Sequence, residues 1–291
     1  MVKRRRKPGP QTLHERCRLI FNEEPPVQRV WEPEFDYADD ELRALAATDW
    51  RLITSHQLSC YYVLNLVYHD SLQPELFRYL FPLCLAEWHE SVMLSSEKGD
   101  YLAENLLMAL RRPYLWRQMM DAGQRRQVRA FLTETMLCRI DSQRGFDSQM
   151  TWLPVWNALG GTAPIMRALW QQWWSLTSPG KAICALQYAA HLIYPPEHNP
   201  LWPAGRGTFC YPLSCSEAWT AENLEFLRKE LVPETLLINV RKAARLLHNE
   251  PEAGLAERIA RDAKAAGEII EIQVEELLNG LASDSRGQAL E

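Results

Sequence analysis

Histidine, cysteine, glycine and arginine are the residues of this chain whose types support chemistry, and their spacing decides which chemistry is available. Glu87-Trp88-His89-Glu90 has the start of a zinc-peptidase helix, in which two histidines at i and i+4 hold the metal and the glutamate between them acts as base. Position 93 is Met, so the second ligand is missing and His89 reads as a histidine at the edge of an apolar helix. His191, His198, Cys210 and Cys215 bracket a Pro-rich stretch, and thiolates with imidazoles are zinc ligands. Their separations of 7, 12 and 5 residues match no compact ligand set, so no metal site is expected. Gly205-Arg206-Gly207-Thr208 and Gly160-Gly161-Thr162 are the two glycine clusters able to cradle a phosphate. Neither follows a strand pattern or carries a Walker lysine, and Gly160-Gly161-Thr162 reads as a turn with Thr162 capping the next helix. The chain has no GxSxG elbow and no CxxC pair. An enzyme reading, as a hydrolase or transferase, therefore needs His191, His198 and Arg206 to converge around the Pro-rich loop. No cofactor is expected.

Residues suited to binding are more numerous. Eleven Trp and ten Tyr are a heavy aromatic load, serving either a core or a contact surface. Trp152, Trp156, Trp170, Trp173 and Trp174 read as interhelical core in preference to a ligand cage. Trp202, Phe209 and Tyr211 are the aromatic anchors of the Pro-rich loop. Arg111, Arg112, Arg117, Arg125, Arg126 and Arg129 form the one concentrated basic set of the body, either a solvated face or a contact for an acidic protein partner. The net charge of −5 includes five cations at Lys3–Lys7, so the remainder stands at −10 and repels a phosphate backbone. Nucleic acid is thus expected only through Lys3–Lys7, a segment that otherwise reads as a solvated tail.

These residues must be positioned by helices. Phe77, Leu80, Phe81, Cys84, Leu85 and Trp88 follow the helical template, with Pro74 placed for a first turn and Pro82 for a kink. Leu102, Leu106, Leu107 and Leu110 make another stripe; Val128, Phe131, Leu132 and Thr135 the next, after a break at Gly123. Gly160, Gly161 and Pro164 punctuate, then Ile165, Leu169, Trp173 and Leu176 share a face. Ser178-Pro179 caps a helix running to about Leu192. Five prolines and two glycines break residues 194–215, a long connection of the kind that is usually functional. Ser214-Cys-Ser-Glu217 matches a capping box for helices over about 216–230 and 233–248, and an Ala/Glu/Arg-rich helix follows from Pro251 to about Asn279.

The fold class expected is all-α, an irregular multi-helical bundle or α/α array. Residues 1–36 read as a basic arm, flexible or draped over the body, with a short helix over 11–21; 37–193 read as a helical domain, 194–215 as a Pro/Trp-rich loop, 216–280 as helices packed on the same body, and 281–291 as a frayed tail. Seven scattered cysteines among apolar neighbours fit free thiols in a reduced compartment. No apolar run approaches the roughly 18 residues of a membrane span, and Pro8-Gly9-Pro10 replaces the apolar region of a secretory signal. A cytoplasmic protein is expected.

Two stretches carry a family likeness. Phe77-Arg78-Tyr79-Leu80-Phe81-Pro82-Leu83 is similar to the FRYYLPAFL-type signature of an uncharacterised bacterial helical family, the DUF6714-like proteins. Gln124-Arg125-Arg126-Gln127-Val128-Arg129-Ala130-Phe131-Leu132 resembles that family's LTPEQRxAVxxFL segment, with Asp121-Ala-Gly123 in place of Thr-Pro-Glu. The resemblance spans about residues 42–140, implies a bacterial, cytoplasmic, all-helical protein, and lends no activity. The leading expectation is a non-enzymatic protein that occludes a partner's surface, such as a toxin-neutralising (immunity) protein or an accessory or adaptor subunit. The alternatives are the loop-centred enzyme and nucleic-acid association through the basic arm.

Overall fold

The apolar stripe beginning at Phe77 forms a helix of 21 residues, and its neighbours follow from what that stripe must cover. The computed structural model describes residues 11–30, 39–61, 66–67, 72–94, 106–146, 150–162, 165–195, 198–201, 213 and 219–283. Among them every regular element is helical and none is a strand, so the fold is all-α and multi-helical. No described helix is long and apolar enough to cross a membrane. The chain divides into two compact units, Met1–Val128 and Arg129–Glu291. That division falls inside the stretch 37–193 that the sequence suggested as one domain.

The first unit contains α1 (Leu13–Ile20), α2 (Asp39–Ala47), a 3-10 turn at Trp50–Leu52, α3 (Ser55–Cys60), α4 (Pro74–Leu94) and α5, described over residues 106–110. A π-helical turn at Leu115–Met119 follows, then the start of α6 (Ala122–Asp141). α4 begins at Pro74 and runs through Pro82, whose missing N–H and ring clash cost about 3 kcal/mol in a helix interior. Its buried face offsets that cost. Phe77 and Phe81 stack at 4.6 Å, and Phe21 meets both edge-on at 5.7 and 5.6 Å.

Phe21 belongs to the region read as an arm with a short helix over 11–21, and residues 11–24 hold that helix packed into the core instead of loose in solvent. Thr12 and Glu15 form a reciprocal capping box that starts α1. Cys17, Ile20 and Phe21 are core, and α1 packs on α4. Arg18 is only 6% exposed; its Nη2 donates to the Glu24 carbonyl at 2.9 Å, and its guanidinium lies over Trp50 and Tyr79. Burial lowers its pKa from the ordinary value. Arg78 Nε reaches the Glu24 carboxylate at 2.9 Å and ties the segment after α1 to α4. The sequence concealed this because a charged run near a terminus reads as solvated.

The second unit holds the remainder of α6, then α7 (Leu153–Thr162), α8 (Met166–Trp173), α9 (Pro179–Ile193), α10 (Ala221–Glu230), α11 (Pro233–Leu246), α12 (Ala253–Asp262), a 3-10 turn at Ala263–Ala265, and α13 (Gly267–Ser283). α9 is the central element. Ser178 caps it by accepting from the Lys181 N–H, and α11, α12 and α13 all pack against it. Gly180 lets it approach α6: a Cβ there would meet the Asp141 carbonyl oxygen at 2.4 Å.

Three local expectations change here. Gly160 and Gly161 do not break the chain before a helix, because α7 runs through both to Thr162. The segment expected as one helix from Pro251 to Asn279 is two, α12 and α13, parted at Ala263–Ala266. The tail does not start at 281: Leu281 is fully buried, and its carbonyl accepts the Trp219 N–H at 2.9 Å.

Candidate functional site

The predicted aromatic cluster is brought together, and it is core. Trp152, Trp156, Trp170, Trp173, Trp174 and Tyr188 are buried, with centroid separations among them from 4.8 to 6.0 Å, mostly edge-on. Three indole N–H groups are satisfied within the protein: Trp152 by Gln187 Oε1, Trp170 by Glu230 Oε2 and Trp173 by the Lys181 carbonyl. Trp219 closes one side by packing on the backbone of α7, where a Cβ at Gly160 would lie 2.1 Å from its Cε2. Asn223 Nδ2 also donates to the Gly160 carbonyl at 2.7 Å. Gly160 is therefore glycine because an indole needs its space, and the phosphate-cradle reading of Gly160-Gly161-Thr162 is withdrawn.

The loop-centred site fares differently from residue to residue. Trp202, Arg206, Phe209, Tyr211, Cys210 and Cys215 lie outside the described residues. His191 sits half-buried near the end of α9, its Nδ1 2.9 Å from the Gln187 carbonyl, and burial lowers its pKa below the ordinary 6.5. His198 is exposed in the short turn that follows. Among the described residues no group of three or more His, Cys, Asp or Glu side chains is placed to hold a metal. His89, the other histidine singled out, is half-buried, and burial lowers its pKa too. Glu87, its neighbour, accepts from Ser55 Oγ at 2.7 Å. Burial pushes the Cys17 thiol up to about 12, and Cys84 and Cys184 are raised for the same reason, so none of the three is a ready nucleophile.

The arginine set is not one surface. Arg112 Nη1 donates to the Leu66 carbonyl at 2.7 Å, and Arg125 Nη1 donates to the carbonyls of Trp116 and Met120 at 2.9 and 2.8 Å. These two guanidinia pin backbone around the π-helical turn. Arg111 and Arg129 are half-buried, while Arg117 and Arg126 are exposed. The helical spacing concealed this split, since a carbonyl acceptor leaves no mark in sequence.

A different basic feature emerges from the second unit, between α11 and α12. α11 buries Leu236, Val240, Ala243 and Ala244, and α12 buries Ala256 and Ile259, so the two helices pack as a hairpin through apolar faces rich in alanine. Along the outer seam lies an open groove of about 410 Å³. Ala244 and Ala260 are its small apolar floor. Arg241, Arg245 and His248 rise from the α11 side; Glu257 and Arg261 rise from α12, and Lys264 from the 3-10 turn. Four permanent cations thus face one carboxylate. Arg261 also pairs with its neighbour Asp262 at 3.4 Å, whereas Arg241, Arg245 and Lys264 have no ion-pair partner among the described residues. His248 Nδ1 lies 3.0 Å from the Arg245 carbonyl, where its N–H caps the end of α11. Ile238, 67% exposed, stands one turn before Arg241 on the same side of α11.

Chemically the groove holds donors and no acceptor-rich or nucleophilic pair. It suits a ligand with several anions and a narrow apolar ridge. Sequence reasoning passed over it because Arg241/Arg245 and Glu257/Arg261 have the ordinary i, i+4 spacing of a solvated helix face. No family model, no curated protein and no solved structure matches the chain.

Proposed function

We propose that this chain is a protein-binding protein whose α11–α12 groove takes an acidic amphipathic helix, so that the partner's surface is occluded. Such a role belongs to toxin-neutralising proteins and to accessory subunits alike. The observation that carries the reading is the groove itself: Arg241, Arg245, Arg261 and Lys264 over a floor of Ala244 and Ala260, three of the four cations without an ion pair. Small residues between two helices leave room for a third helix, and arginine stems add apolar walls while their heads meet carboxylates. The acidic balance of the whole chain repels such a partner everywhere but at this seam, so recognition would be specific to it and sensitive to salt.

The test is fluorescence anisotropy with a labelled helical peptide of alternating Glu and Leu turns, against a scrambled control. The expected result is saturable binding that weakens from about 50 to about 500 mM salt and falls about tenfold or more in the Arg241→Glu/Arg245→Glu variant. Equal binding of both peptides, or indifference to the double substitution, would overturn the reading.

A further inference from the structure

Resting on that reading of the groove, we propose that the acidic helix it takes is α13 of a second copy of this chain. α13 is two-faced. Ile270, Val274, Leu277, Leu278 and Leu281 are buried, and the helix packs on α9, α10 and α11. Its outer side carries Glu268, Glu271, Glu275 and Glu276, all exposed, around Ile272, which is 59% exposed. Glu268, Ile272 and Glu275 follow one another at spacings of four and three, so they stand in one row along the helix. An exposed isoleucine set among carboxylates is the complement of an alanine floor set among arginines.

Glu268 and Ile272 stand four residues apart on α13, as Arg241 and Arg245 do on α11, about 6 Å of helix in each case. Two of the four carboxylates already have partners: Glu275 pairs with Arg228, and Glu276 accepts from Gln273. Glu268 and Glu271 stand in no ion pair among the described residues, as do Arg241, Arg245 and Lys264 on the other side. Within one chain this complementarity is unused, because α13 lines no part of the groove. Between two chains it brings Ile272 to the alanine floor and sets Glu268 and Glu271 against Arg241, Arg245 and Lys264. Reciprocal contacts around a two-fold axis give a closed dimer, and a one-way contact gives a growing chain.

The full chain is examined by sedimentation equilibrium over a range of concentrations at low and high salt. The wild-type mass is expected to rise above 33.7 kDa with concentration, less so at high salt. Arg241→Glu/Arg245→Glu in the groove and Glu268→Lys/Glu271→Lys on α13 should each weaken self-association about tenfold or more. An equimolar mixture of the two variants, each with reversed charge, should associate again, which a merely unfolded variant would not do. A chain that stays monomeric, or self-association blind to both substitutions, overturns the proposal. A monomeric chain that still binds the Glu/Leu peptide overturns self-recognition alone and leaves the groove reading standing. A chain that neither associates nor binds the peptide ends both.

Discussion

Two regions of the second unit, the tryptophan core around α7–α9 and the basic groove between α11 and α12, use their side chains in opposite ways. Around Trp156 the residues with conspicuous chemistry are turned inward: rings meet rings, the indole N–H groups of Trp152, Trp170 and Trp173 meet carbonyls or a carboxylate, and Gly160 makes way for Trp219. In the groove, unremarkable arginines, a lysine and two alanines leave cations facing open space. Conspicuous residue types are therefore a poor guide here. Like charges gathered across a seam from two helices are the better guide, because a lone surface charge is solvated at little cost whereas neighbouring cations repel one another.

The contrast predicts that the core governs stability and the groove does not. The largest effect is expected for Trp156→Ala, which removes a ring in contact with Trp170, Trp173 and Trp219. It should cost about 3–5 kcal/mol, read as a lower urea midpoint, while the folded protein retains peptide binding. Gly160→Ala should follow. Alanine in place of glycine would ordinarily stabilise a helix by about 1 kcal/mol, but the close Trp219 ring should reverse the sign to a loss of about 1–3 kcal/mol. A stabilised variant would show that the indole moves aside freely.

A smaller effect is expected from pH. His191 has a lowered pKa when folded, so below 6.5 the unfolded chain binds more protons than the folded one. Stability should therefore decline as pH falls from 6.5 and level off below the folded pKa; His191→Gln should flatten that slope, measured by urea unfolding at successive pH values. The smallest effect on stability belongs to Arg241→Glu/Arg245→Glu. It should stay within about 0.5 kcal/mol of the wild type, since neither arginine has an ion-pair partner to lose among the described residues.

Much of the fold was legible where a single helix speaks for itself. The stripe from Phe77 to Trp88 and the Ser178-Pro179 start of α9 could be read from spacing, because periodicity and caps are local signals. Features that depend on distant partners could not. Gly160-Gly161 looks like a break until Trp219 arrives from far along the chain. Arg18 looks solvated until Trp50, Tyr79 and the Glu24 carbonyl surround it. Arg112 and Arg125 look like partner anchors until their carbonyl acceptors are in place. The groove was illegible for the same reason. Neither helix is unusual alone, and only their pairing sets Arg241 and Arg245 across an alanine floor from Arg261 and Lys264.

The most direct test of the groove as the binding surface is amide shift mapping of the full ¹⁵N-labelled chain titrated with the Glu/Leu peptide. The account predicts that the perturbed amides cluster in Pro233–Leu246, Ala253–Asp262 and Ala263–Ala265, while the indole N–H signals of Trp152, Trp170 and Trp173 stay in place. Perturbations centred on Arg117 and Arg126, or no localised change at saturating peptide, would contradict it.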